Sequence, residues 1–481
     1  MLRRGRRLLS GGGECPPWTI FGAHDKAHSF EHSGSTTNPT TGVVEYEYKK
    51  GTAALWFFLV IYMFLGIAIV CDDFFVASLE SISEALHLSD DVAGATFMAA
   101  GSSAPELFSS LVSMIQWEPP SANGVLDSTS DLGVGTIVGS AVFNILVIIG
   151  ATAICTGKVI DLDWRPIARD VTFYTLSVVT LVAFFNNGKV EWWEGLISMF
   201  LYVGYVVFMK YNVKYMDLMA KWFPSIMEHQ ETRNSYGKGE LEDGPLPSKS
   251  TRPTSFSEKG NNNKVAPGDG AEGGDDEDDK SPFTPPEKLY EWPMYLLSLP
   301  WYAMFTYTIP PCAEEKWKKW YQVTFGMSIV WIMAISWAMV EWTARIGCIL
   351  GIPNIVMGVT VLAAGTSVPD ALSSIMVAKN GMGDMAVANA IGSNVFDIWI
   401  GLGFPWFAIL LAKDADMTIQ KKDLVPNVLI LLGIVIFYIG AITIDKFRLR
   451  PLTGWIFIAV YALYAGYQIG FVWQMDIYGT Q

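Results

Sequence analysis

Residues 94–113 read GATFMAAGSSAPELFSSLVS, and residues 358–377 read GVTVLAAGTSVPDALSSIMV. Nine of the twenty positions are identical, among them Gly101/Gly365, Ser103/Ser367, Pro105/Pro369 and Ser109/Ser373. A second matching pair follows, GSAVFNI at 139–145 and GSNVFDI at 392–398. The chain therefore carries one two-helix unit twice. Each copy is set among long stretches nearly devoid of charge. A helix needs about 20 apolar residues to cross the hydrocarbon core. Segments of that kind recur at 53–70, 92–116, 133–155, 171–186, 192–212, 322–350, 354–378, 384–411, 427–444 and 452–474. Most are apolar all round, unlike the two-faced helices of soluble proteins.

Five spans separate equivalent helices of the two units, and five is odd. The copies must enter the membrane in opposite directions. The expected fold is an all-α membrane protein of about ten transmembrane helices in two inverted-topology five-helix repeats. A substrate site is then expected at the repeat interface near the midplane.

Composition agrees with this reading. The 481 residues are 51% hydrophobic and 17% charged, and the net charge of −14 gathers in the polar segments. The acidic run Asp275, Asp276, Glu277, Asp278, Asp279 solvates a loop. Overall acidity excludes a nucleic-acid partner, and the bilayer is the partner the composition does imply. Of the five cysteines, Cys71, Cys155 and Cys348 lie in or near apolar spans and read as packing residues. Cys15 has the option of pairing with another thiol if it lies outside the cell, and no metal-ligand spacing is present. The basic N-terminus lacks an apolar core for a signal peptide. The chain contains no usable glycosylation sequon.

The organisation follows from these shifts. Residues 1–50 form a polar, irregular N-terminal region. Residues 51–212 form the first membrane repeat, with its motif at 94–150. Residues 320–475 form the second, with its motif at 358–407, and 476–481 are a short tail. The intervening 213–319 segment is expected to be a cytoplasmic loop. Its 225–288 stretch is too rich in Gly, Pro, Ser, Asn and acids to fold alone. The apolar but proline-broken 292–311 stretch fits an interfacial helix. Lys210, Lys214 and Lys221, Lys316, Lys318 and Lys319, Lys158, Arg165 and Arg169, and Lys446, Arg448 and Arg450 all fall on one side in this arrangement, which orients it. Lys49, Lys50, Lys421 and Lys422 land opposite.

Glu106 and Asp370 sit inside otherwise apolar spans. A carboxylate there costs roughly 2.5–3.5 kcal/mol on insertion scales unless it faces a cavity, a cation or a partner. Ser102 and Ser103 precede Glu106 by four and three residues, on the same helical face. Thr366 and Ser367 stand likewise before Asp370. Pro105 and Pro369 each free a carbonyl four residues earlier, at Gly101 and Gly365. Carboxylate, hydroxyl and carbonyl oxygens together suit hard cations such as calcium and sodium. The bland alternative is a protonated acid that merely bonds its neighbours. Two acids in the same context at equivalent repeat positions weigh against it.

The second unit adds Ser140 and Asn144 in the first repeat, and Ser393, Asn394 and Asp397 in the second. Asn144 and Asp397 are equivalent but differ by one charge. With Asp397 the pocket holds three potential negative charges, which one Ca²⁺ and one K⁺ together neutralise and Ca²⁺ alone does not. Gly94, Gly358, Gly139 and Gly392 are read as close helix-packing positions, and Asp72 and Asp73 as interfacial or gating acids at the end of the first span.

The motifs AAGSSAPELFSS, AAGTSVPDALSS, GTIVGSAVFNI and AIGSNVFDIWIGLGFPW resemble the alpha repeats of the calcium/cation antiporter superfamily. Within it, the chain resembles the potassium-dependent sodium/calcium exchangers. IVCDDFFVASLESISEAL (69–86), LSLPWYAMFTYTIP (297–310) and KNGMGDMAVANAIGSN (379–394) add to the likeness. It covers both membrane blocks but neither residues 1–50 nor the central loop, and the chain departs from it at Ser102, where many members have glycine. The resemblance implies a ten-helix exchanger with alternating access and no cofactor. It exchanges Na⁺ for Ca²⁺ together with K⁺ as transported substrates, with the plasma membrane as default. It also implies that Glu106 and Asp370 are the central calcium and sodium ligands. Ser102, Ser103, Thr366, Ser367, Ser140 and Ser393 complete the ion sites, and Asp397 marks the potassium-dependent branch.

Four alternatives stand beside this one. A potassium-independent sodium/calcium or a calcium/proton antiporter differs in its coupling ion. The GxGD pattern at Gly381–Asp384 matches intramembrane aspartyl proteases, but it is short and lacks a second aspartate in the required context. A channel is disfavoured by a twofold inverted repeat with unequal acids.

Overall fold

The computed structural model describes residues 32–37, 44–48, 51–85, 99–116, 129–162, 164–222, 283, 285–286, 291–312, 316–379, 383–418 and 421–478. The expected irregular loop at 225–288 lies almost wholly outside them, and Cys15, Gly94 and the first two residues of the GxGD pattern, 381 and 382, lie outside them. The chain forms two compact units, Met1–Lys210 with Met304–Gln481, and Tyr211–Ala303.

The N-terminal region contains regular structure that the sequence reading lacked. Strand β1 (His32–Thr37) pairs antiparallel with β2 (Val44–Tyr48). Val44, Tyr46 and Tyr48 alternate with Glu45 and Glu47, a period-two pattern that favours a strand.

The membrane part begins with α1 (Thr52–Ile82), which runs past the expected end at residue 70. A wide turn, Val70–Val76, carries the helix through Asp72 and Asp73. Helix α2 (Ala104–Gln116) follows a single turn, Ala99–Ser102. Then come α3 (Asp131–Thr156), the short strand β3 (Ile160–Asp161), α4 (Trp164–Phe185), β4 (Lys189–Val190) and α5 (Trp192–Met209). Helix α6 (Trp292–Thr308) covers most of the 292–311 stretch and holds Pro300 inside. The second block comprises α7 (Tyr321–Leu350), α8 (Asn354–Thr366), α9 (Val368–Lys379), α10 (Met385–Lys413), β5 (Met417–Thr418), α11 (Lys421–Ile444), β6 (Arg448–Leu449) and α12 (Pro451–Tyr478). Among the described residues, eight helices are long and apolar enough to cross a membrane, and the pair α8–α9, bent by 43° at Ser367, makes a ninth. The expected second span, 92–116, is described only from residue 99.

Two small sheets fix the direction of the repeats. β3 pairs with β6, and β4 pairs with β5, both antiparallel. The loop after α3 therefore meets the loop before α12, where Arg448 Nε donates to Asp161 Oδ1 at 3.1 Å. The loop after α10 meets the loop after α4. One helix, α4, separates these two loop clusters, so they lie at opposite ends of the bundle. Helix α3 ends at the first cluster and its equivalent α10 at the second. The equivalent helices run in opposite directions, as the odd span count requires.

The distribution of polarity is that of a membrane protein. Phe58, Phe200, Ile436, Leu463 and Ile469 are exposed on outer helices. Glu106, Asn144, Asp370 and Asp397 are at most 1% exposed. In water the first set would be costly to expose, but in lipid it is the natural outer surface. The core runs through α3, α4, α10 and α11, with Val138, Leu146, Val178 and Trp399 fully buried. Lys413, at the end of α10, donates to the carbonyls of Met114 (3.3 Å) and Ile115 (3.1 Å) and so caps the last turn of α2.

Cysteine usage departs from the packing reading at two positions. Cys71 is buried, but Cys155 is exposed, and Cys348 is disulfide-bonded.

Candidate functional site

Each repeat contributes a broken helix and a helix with a wide turn. The break before α2 falls at Ser103 and the break between α8 and α9 at Ser367, two residues before the proline in both cases. Proline cannot donate its bond into the preceding turn, which loosens the helix there. The wide turns Asn144–Ile148 in α3 and Asp397–Leu402 in α10 begin at equivalent residues. Such turns recur at functional sites because they re-aim side chains and expose backbone groups. A further wide turn, Gly358–Leu362, leads into the second break.

The repeats then cross over. Helix α2, which carries Glu106, packs against the wide turn of Asp397, and α9, which carries Asp370, packs against that of Asn144. Ser367 Oγ donates to Glu106 Oε1 at 3.1 Å, and Thr366 also faces Glu106. Ser102 and Ser393 face Asp370, while Ser103 faces Asp397. Asn144 Nδ2 donates to Asn394 Oδ1 at 2.9 Å and more loosely to Ser393 Oγ at 3.4 Å. Ser140 is fully buried one turn before Asn144 and donates to its own helix at Ile137. Ten of the eleven residues singled out from sequence thus meet in one region, and Ser140 lies buried one turn away from it. Their partners differ from the expected ones. The hydroxyls that precede an acid on its own helix face the acids of the other repeat.

The three carboxylates lie within each other's electrostatic reach. They are starved of donors. Both oxygens of Asp370, both of Asp397 and Glu106 Oε2 are buried without a hydrogen-bond partner. Buried charge of this kind is stable only when protonated or when matched by cations. The surrounding oxygens are hydroxyls, amides and carboxylates, a donor set for hard cations, and the buried Cys71 thiol lies within electrostatic reach of Glu106 and Asp370.

Glycines set how closely the repeats approach. A Cβ on Gly139 would lie 2.5 Å from the Cα and carbonyl oxygen of Val359, and one on Gly358 would lie 2.5 Å from the carbonyl of Leu132. These two positions bring α3 and α8 backbone to backbone, as expected. Gly392 does not behave so. Its Cβ would meet only the Tyr205 hydroxyl, at 4.0 Å.

Asp72 and Asp73 also differ from expectation. They are exposed inside α1 rather than at its end, and Asp72 lies within electrostatic reach of Asp370. Helix α1 touches both breaks: Phe64 lies against Gly365, and Val76 against Gly101. Sequence reasoning missed Tyr174 on α4, whose buried hydroxyl has no partner and senses Asp397. It belongs to no repeated motif, so no signal of that kind was available.

The family profile described as "Sodium/calcium exchanger protein" matches residues 56–211 and 320–470. The chain is 36% identical to the mouse protein named sodium/potassium/calcium exchanger 4, over 90% of this chain and 83% of that one. It is 36% identical to human sodium/potassium/calcium exchanger 3, over 88% and 81% respectively. The crystal structure of the H⁺/Ca²⁺ exchanger CAX shares the fold, with a TM-score of 0.51 at 12% identity over 88% of this chain and 89% of that one. With both membrane blocks matched by one profile, this multi-pass membrane protein belongs to the sodium/calcium exchanger family.

Proposed function

We propose that the protein is a secondary active antiporter that exchanges Na⁺ for Ca²⁺ together with K⁺ by alternating access, most naturally at the plasma membrane. The observation that carries this reading is the set of three buried, donor-poor carboxylates, Glu106, Asp370 and Asp397, assembled from both inverted repeats. The named relatives, sodium/potassium/calcium exchangers, agree with it. The chemistry is transport, with no bond broken, and Ca²⁺, Na⁺ and K⁺ are substrates rather than cofactors.

Glu106 and Asp370 bind Ca²⁺ or Na⁺ in alternation. Ser102, Ser103, Thr366, Ser367, Ser140 and Ser393 supply neutral oxygens, and Asn144 and Asn394 brace the pair of wide turns. Asp397 supplies the third charge, which Ca²⁺ with K⁺ satisfies. Occupancy neutralises the acids and lets α1 and α7 slide past the core. A charged pocket without cations resists that movement, which makes flux depend on a counter-ion. Asp72 and Asp73, exposed on α1 with Asp72 in electrostatic reach of Asp370, fit a gating role on the path to the site.

The test is direct. Glu106→Gln or Asp370→Asn is expected to abolish sodium-dependent calcium uptake while the protein still reaches the membrane. Uptake at the wild-type rate by either variant contradicts the assignment.

A further inference from the structure

Helix α4 lies outside both repeated motifs, yet it walls one side of the Asp397 turn. It packs against the wide turn Asp397–Leu402. Phe173 meets Trp399 edge to face, with ring centroids 6.5 Å apart, and Trp399 Nε1 donates to Thr180 Oγ1 at 3.2 Å. Tyr174 stands between these anchors on the same helix. It is 1% exposed, and its hydroxyl makes no hydrogen bond. Both oxygens of Asp397 are also without a hydrogen bond, and the two groups interact electrostatically.

A phenol hydroxyl buried with no partner is costly unless some state of the protein uses it. Its helix packs on the turn that carries Asp397, a buried carboxylate with the same deficit. A hydroxyl offers both a proton to an anion and a neutral oxygen to a cation. Large, weakly hydrated monovalent cations are held chiefly by neutral oxygens. We infer that Tyr174 supplies the neutral hydroxyl oxygen that completes the monovalent-cation site built on Asp397. The inference rests on the potassium reading of Asp397 proposed above.

Tyr174→Phe keeps the ring and its packing while removing the oxygen. Calcium uptake into sodium-loaded vesicles is measured against external potassium and, at saturating potassium, against calcium. The expected result is a half-activating potassium concentration raised at least fivefold, with calcium half-saturation unchanged. Tyr438→Phe is the control, since it deletes another buried, unpartnered hydroxyl that senses Asp170 instead. It is expected to leave both values unchanged. Should Tyr174→Phe fail to reach the membrane, Tyr174→Met is read in the same assay. A potassium dependence equal to wild type, or a shift shared equally by Tyr438→Phe, overturns the assignment of Tyr174 alone. A wild type indifferent to potassium removes the reading on which it rests, and the inference falls with it.

Discussion

Ser367 of the second repeat donates its hydroxyl to Glu106 of the first at 3.1 Å, across 261 positions of sequence. Neither repeat therefore builds a complete site. Glu106 accepts from the opposite half, and Asp370 and Asp397 face Ser102 and Ser103 of the opposite half, so closing one repeat against the other is what creates the site. This dependence gives alternating access a physical basis: movement between the halves changes the oxygens available to each carboxylate.

Removing that donor should weaken cation binding without emptying the pocket of charge. A hydrogen bond to a charged group is worth about 1.5–3 kcal/mol, and each 1.4 kcal/mol is tenfold in affinity. Ser367→Ala is therefore expected to raise the half-saturating calcium concentration by about tenfold or more. The calcium dependence of uptake at a fixed sodium gradient checks this, and an unchanged value contradicts the crossed arrangement.

The glycines give a paired stability test. Gly139 faces the Val359 backbone at 2.5 Å from a built Cβ, whereas Gly392, its equivalent, faces open space out to 4.0 Å. Gly139→Ala should force α3 from α8 and cost about 1–3 kcal/mol. Gly392→Ala should be tolerated. Thermal unfolding of the purified protein in detergent should show a lowered midpoint for the first variant and an unchanged one for the second.

Topology has its own test. Lys158 and Lys446 belong to one loop cluster, and Lys189 belongs to the other. In a background without free thiols, single cysteines at 158 and 446 should react with an impermeant thiol reagent from one side of sealed vesicles. A cysteine at 189 should react only from the other side. Labelling of 158 and 189 from the same side contradicts the inverted repeat.

Much of the fold and most of the site were legible because duplication writes the same chemistry twice. Glu106 and Asp370 announced themselves as acids in apolar spans, and the paired prolines marked the breaks. The crossover was not legible. Helical spacing places Ser102 and Ser103 beside Glu106 on one continuous helix, but the turn at Ser103 interrupts it, and packing then decides the neighbours. Asp72 and Asp73 looked like the end of a span because two charges usually stop one. The wide turn Val70–Val76 instead carries the helix through them. Repeat equivalence also misled at Gly392, since matching sequence does not ensure matching surroundings. Tyr174 had no counterpart motif, and only the docking of α4 on the Asp397 turn reveals it. The alternation in Val44–Tyr48 was present in the sequence and sufficed to expect a strand.

The central claim is potassium-coupled exchange with Asp397 as its determinant. The most direct measurement is calcium uptake into sodium-loaded vesicles, with and without external potassium, for wild type and Asp397→Asn. The account predicts that wild type requires potassium and that the variant takes up calcium without it. Equal uptake by wild type in the presence and absence of potassium contradicts it.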